Sequence, residues 1–123
     1  MDMNVTEDAY GVIHVALDGR FDIEGSRQVD GPITEIAKRA KILIIDLSKV
    51  SFIASLGVRT LMTSAKTIMG RDAHMGVAGA KEGVEKVLRL TGFDEVCGLY
   101  LDYASAAASL TARAKEYESR KSS

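Results

Sequence analysis

Cysteine, proline, histidine and tryptophan are scarce in this chain: one cysteine, one proline, two histidines and no tryptophan in 123 residues. A lone cysteine closes no internal disulfide, which excludes a disulfide scaffold and fits a reducing compartment. His14 and His74 have no Cys, Asp or Glu neighbours at metal-ligand spacing, so no metal site is expected. Cys97, in Val96-Cys97-Gly98, reads as a buried, inert thiol. No apolar run approaches the roughly 18 residues of a membrane span. The start Met1-Asp2-Met3-Asn4 lacks the basic-then-apolar order of a signal peptide. The expectation is a cytoplasmic protein without membrane insertion. No G-x-S-x-G occurs, and the glycine-rich stretch Gly76–Gly83 lacks the G-K-[ST] ending of a phosphate loop. A catalyst is not expected from this inventory, nor is a cofactor.

Lys and Arg number 16 against 17 Asp and Glu, a net charge of −1. Nucleic-acid binding needs a basic surface that neutralises many phosphates, so that class is excluded too. The charge is unevenly placed. Residues 1–35 hold eight acids against two bases, Arg20 and Arg27, a net of −6. Such an acidic third either steers a basic partner or is simply a solvated surface.

What is present is an ordinary globular composition, 46% hydrophobic and 27% charged, with length for one domain. Asn4–Glu7 and Val12–Asp18 flank Asp8-Ala9-Tyr10-Gly11, a hairpin turn. Val29, Ile33, Ile36, Ala37 and Ala40 share a helical stripe, whose start lies between Gly25 and Gly31 if Pro32 marks its first turn or a kink. Ile42-Leu43-Ile44-Ile45 suits a strand buried on both faces. Val58, Leu61, Met62, Ala65 and Met69 form a second helical stripe, with Gly70 in the left-handed closing position.

Met75–Ala78 is a short strand, and Glu82–Thr91 a helix that Gly92 closes by letting Phe93 pack back on Leu88. Val96–Leu101 is a last strand, and Asp102 caps a final helix. That helix's Ala-rich stripe reads as packing on its own sheet, with a dimer contact as the alternative. The pattern predicts an α/β single domain over residues 1–118: a mixed, mostly parallel five-stranded sheet with about four helices. Residues 119–123 read as a polar tail, with fraying expected over Glu118–Ser123.

The segment Asp46–Leu61 carries the most chemistry. A buried strand delivers the chain to a short loop, and Ser55 stands at the head of an amphipathic helix. Serine there reads first as an N-cap. The same place also tolerates an anion, because the helix start presents unpaired N–H groups and the positive end of the dipole. A phosphoryl group on Ser55 would add about −1.5 to −2 charges. Arg59, one turn on, is placed to approach it. Gly57 would leave room for a partner, and Leu56 would offer an apolar contact beside a chargeable hydroxyl.

Three stretches resemble the STAS domain family, the sulfate-transporter and anti-sigma-factor-antagonist group. Leu17-Asp18-Gly19-Arg20-Phe21-Asp22 is similar to its strand-ending Gly-x-Leu-Asp signature. Asp46–Leu61 is similar to its central strand, loop and helix, and Val84–Phe93 to its Val-x-x-Val-Leu-x-x-Thr-Gly-Leu segment. The resemblance implies the STAS fold and an anti-sigma factor antagonist that regulates transcription by partner switching. Its partner would be an anti-sigma factor that is also a serine kinase of histidine-kinase-like ATPase fold. That kinase phosphorylates the loop serine, and a serine phosphatase reverses the step.

On this pattern Ser55 is the phosphoacceptor. Asp22, Ala54, Ser55, Leu56, Gly57 and Arg59 form the partner-binding set. Ala54 and Leu56 depart from the family, which often has aspartate and serine or threonine there. Two other readings stand beside this one. One is a constitutive accessory or scaffold subunit of a transporter or signalling complex; the other is a small-ligand sensor.

Overall fold

The computed structural model describes residues 1–122. Its elements are β1 (Asp2–Glu7), β2 (Val12–Phe21), α1 (Ile23–Arg39), β3 (Ile42–Ile53), α2 (Ser55–Met69), β4 (His74–Ala78), α3 (Glu82–Leu90), β5 (Gly98–Tyr100) and α4 (Tyr103–Ser122). The strands make one sheet in the order β1-β2-β3-β4-β5. The first pair is an antiparallel hairpin, and each later pair is parallel. The mixed five-stranded sheet and four helices match the periodicity of the sequence.

Each crossover steps to the next strand in the same direction, so α1, α2 and α3 fall on one face. Beneath them lie Ile13, Val15 and Leu17 of β2 and Leu43, Ile45 and Leu47 of β3, all buried. Helix α4 closes part of the other face, setting Ala106, Leu110 and Ala114 on Val12, Ile42, Ile44 and Ala78. The Ala-rich stripe therefore packs on its own sheet. The unbroken run Ile42–Ile45 is explained by this, because β3 is covered on both sides. Beside α4 the sheet turns polar: His14 Nε2 lies 2.9 Å from Asp46 Oδ2. The His14 ring also sits 4.0 Å from that of Tyr103.

Several boundaries differ from expectation. Helix α1 starts at Ile23, with Pro32 in its interior. The N–H that Pro32 lacks would have met the carbonyl of Gln28, and both residues are exposed, where water replaces the lost bond. The true signal was Asp22, whose carboxylate accepts the Gly25 N–H at 2.9 Å. Gly70 is right-handed, and the left-handed residue is Asp72, at φ 58°. This turn carries Arg71 onto the end of α1, where Nη1 donates to the Ala37 and Ala40 carbonyls at 2.7 and 2.9 Å.

Gly92 is left-handed as expected, at φ 77°. Leu88 and Phe93 are buried in the same core cluster, and the Thr91 hydroxyl donates to the Leu88 carbonyl at 3.0 Å. Residues 93–95 form a 3₁₀ turn, which shortens the last strand to Gly98–Tyr100. Helix α4 runs on to Ser122, past the expected fraying point, with Lys41 pairing Glu118 and Arg120 pairing Glu116. Ser123, the last residue of the expected tail, lies outside the described residues.

Two stability outcomes follow from this packing. Leu43→Ala empties a fully buried site in the central strand and is expected to cost about 2–5 kcal/mol, read by urea unfolding at unchanged m-value. The Asp22 carboxyl is held below its ordinary value, chiefly by the Gly25 N–H, with Arg20 adding to the effect. A lowered folded-state value stabilises above the unfolded pKa and is lost as pH falls through the folded one. Asp22→Asn keeps a capping oxygen without the charge. Its deficit against the parent is expected at neutral pH and to close below about pH 4, measured by unfolding at each pH.

Candidate functional site

The carboxyl ends of β2, β3 and β4 open on one edge of the sheet, where loops of an α/β fold commonly meet ligands. There the Ala54 N–H donates to the Phe21 carbonyl at 2.9 Å, tying the end of β3 to the end of β2. Ala54 is thereby kept extended, at φ −100° and ψ 173°, and becomes the N-cap of α2. Ser55 is the first helical residue instead, a correction to its reading as the cap. Its side chain is exposed, and its hydroxyl bonds no other described residue.

The two neighbouring helix starts are finished differently. In α1 the Asp22 carboxylate takes the Gly25 N–H, and the Ser26 hydroxyl donates to the Asp22 carbonyl at 2.7 Å. In α2 the first hydrogen bond runs from Val58 N–H to the Ala54 carbonyl at 3.1 Å, and no side chain caps the turn. The N–H groups of Ser55, Leu56 and Gly57 therefore lack a helical partner, with Ser55 exposed and Gly57 buried. An acceptor from outside, or an anion on Ser55, would find donors already in place.

Gly57 does not serve the purpose expected of it. It is buried, and an added Cβ would stand 2.8 Å from the Phe21 carbonyl oxygen and 2.9 Å from Ile53 Cγ1. The missing side chain lets α2 seat against β2 and β3; it does not open the first turn to a partner. Leu56 and Arg59 line a groove of about 420 Å3 between α1 and α2. Asp22 neighbours the loop through Phe21 and keeps an oxygen 3.5 Å from Arg20 Nε. Of the expected set, Asp22, Ala54 and Ser55 thus share the edge, Leu56 and Arg59 the adjoining groove, and Gly57 the interior.

Two apolar residues of this edge escaped the sequence reading. Phe52 is 41% exposed and Ile23 is 53% exposed. The Arg20 guanidinium lies 4.5 Å from the centre of the Phe52 ring, so one arginine steadies both the aromatic and Asp22. Phe52 sits where the pairing of β2 with β3 shifts register between Gly19 and Arg20. Burial along β3 there follows Leu47, Val50 and Ile53, a spacing that alternation does not reveal. The groove adds Arg27, Asp30 and Thr60, whose hydroxyl donates to Asp30 at 2.7 Å.

The site is thus an exposed hydroxyl over an uncapped helix start, with apolar and acidic flanks. Among the described residues no cluster of His, Cys, Asp or Glu fits a metal. Burial pushes the Cys97 thiol up to about 12, so it stays protonated. No described helix is long and apolar enough to cross a membrane.

Known proteins resemble the chain over most of its length. The STAS domain family matches residues 2–106. The anti-sigma-F factor antagonist RsfB of Mycobacterium tuberculosis is 28% identical over 94 residues, 76% of each chain. The crystal structure of an anti-sigma factor antagonist from Mycobacterium paratuberculosis superposes with a TM-score of 0.81 at 27% identity, covering 89% of this chain and 93% of that one. The STAS domain of a SulP transporter from Vibrio cholerae gives 0.61 at 25% identity, covering 81% and 80%. Because the family match spans residues 2–106, most of its length, this chain belongs to the STAS domain family.

Proposed function

We propose that the chain is an anti-sigma factor antagonist, a cytoplasmic protein-binding module whose docking surface is the edge around Ser55. The observation that carries this reading is the exposed Ser55 hydroxyl on the uncapped first turn of α2. Phe52 and Ile23 supply apolar area beside it, and Asp22 supplies a fixed charge. The likeness to proteins named as anti-sigma factor antagonists supports the same class.

The partner is an anti-sigma factor that is also a serine kinase of histidine-kinase-like ATPase fold. It transfers the γ-phosphoryl of ATP to Ser55 Oγ: the new O–P bond forms, the bond to the ADP oxygen breaks, and the hydroxyl proton leaves to a base on the kinase. The product charge stands at a surface the partner must desolvate, so the complex separates. A serine phosphatase restores the hydroxyl by hydrolysis. No catalytic role falls to this chain.

The likeness to a transporter's STAS domain favours a second reading, a constitutive accessory subunit. The two differ in what Ser55 does. With the isolated partner kinase and ATP, the parent chain is expected to take up one phosphate and Ser55→Ala none. Ser55→Asp is expected to weaken binding about tenfold or more, about 1.4 kcal/mol, measured by calorimetry. Labelling that survives Ser55→Ala removes Ser55 from the mechanism, and binding indifferent to Ser55→Asp supports the accessory subunit.

A further inference from the structure

We propose that Arg27 and Arg59 form a built-in clamp for the phosphate on Ser55, holding it across the mouth of the groove between α1 and α2. This rests on Ser55 being the phosphoacceptor. Both helices follow parallel strands and so run in the same direction. Arg27 and Arg59 each occupy the fifth position of their helix, and both line the one groove. Helical side chains lean toward the N-terminus, so each of these side chains is directed toward the start of its own helix, the end of the groove near which Ser55 stands. Arg59 is one turn beyond Ser55 on the same helix, where side chains are neighbours.

The charges are available for this. Arg20, Arg39, Arg89 and Arg120 pair with carboxylates, and Arg71 caps α1. Arg27 and Arg59 form no ion pair with any described residue. The acid in the groove, Asp30, accepts the Thr60 hydroxyl at 2.7 Å and pairs with neither arginine. Two planar guanidiniums match a group with about two charges and three acceptor oxygens, each arginine binding in a fork. Capture also fixes where the charge stands. The phosphate would bridge the two helices beside Leu56, instead of trailing into solvent.

The test needs no kinase. Phosphoserine is installed at position 55 during synthesis of the full chain, and its phosphorus resonance is followed against pH. The second phosphate ionisation ordinarily falls near about 6. In the parent it is expected about half a unit or more below that, rising in Arg27→Gln and Arg59→Gln and furthest in the double variant. Lys66→Gln, on the far turn of α2, controls for general charge, and circular dichroism confirms that each variant folds. Asp22 and Asp30 oppose the shift but are common to every variant. An equal value in the parent and the double variant overturns the clamp, because the amides of α2 would then hold the phosphate alone. Since the phosphate is installed chemically, a kinase that ignores Ser55 would undo the proposed function and leave this result standing.

Discussion

Helix α2 begins where it does because the Ala54 N–H is held by the Phe21 carbonyl, and because Gly57 lets the first turn lie against that same residue. The bond ends β3, sets Ala54 in an extended conformation and leaves Ser55 as the first helical residue. One residue's difference matters. A serine at the cap would turn its oxygen onto the amides behind it, whereas at the next position the hydroxyl faces outward. The seam between β2 and β3 thus decides whether Ser55 is internal machinery or surface.

The two parallel helices show how one sheet edge holds both rigid and receptive ends. Helix α1 is closed by Asp22, whose charge is held by the Gly25 N–H and Arg20, and its far end is closed by Arg71. Helix α2 has no such closure at its start. A rigid, capped neighbour beside an uncapped helix gives a partner fixed walls and unused donors. Stability comes from elsewhere, chiefly the two-sided burial of β3 beneath α1, α2 and α3 and against α4. A phosphate on Ser55, as proposed, would therefore stand apart from the core.

Much of this was legible in the amino-acid order because it depends on local periodicity. The run Ile42–Ile45 announced a strand covered on both sides, and the stripes of α1, α2 and α4 announced the helices that cover it. Ser55 was found because a strand, a loop and an amphipathic stripe meet there. What stayed hidden depends on contacts between distant segments. Pro32 suggested a helix start because proline favours first turns, yet it lies on a wet face where its missing bond is harmless. That misplaced the beginning of α1, and with it Arg27, which faces the groove only once the helix starts at Ile23. Phe52 was hidden by the register shift at Gly19–Arg20, which breaks the alternation of β3. Gly57 was recognised as special but for the wrong neighbour: its close contacts are Phe21 and Ile53.

Amide hydrogen exchange across the first turn of α2 tests the central claim most directly. Free in solution, the Ser55 and Leu56 amides should exchange quickly for want of a helical acceptor. In the proposed complex with an anti-sigma factor these same amides, together with residues 20–23 and 52–53, should become protected. Protection confined to the β1 edge or the outer face of α4, with residues 55 and 56 still exchanging freely, would contradict the account.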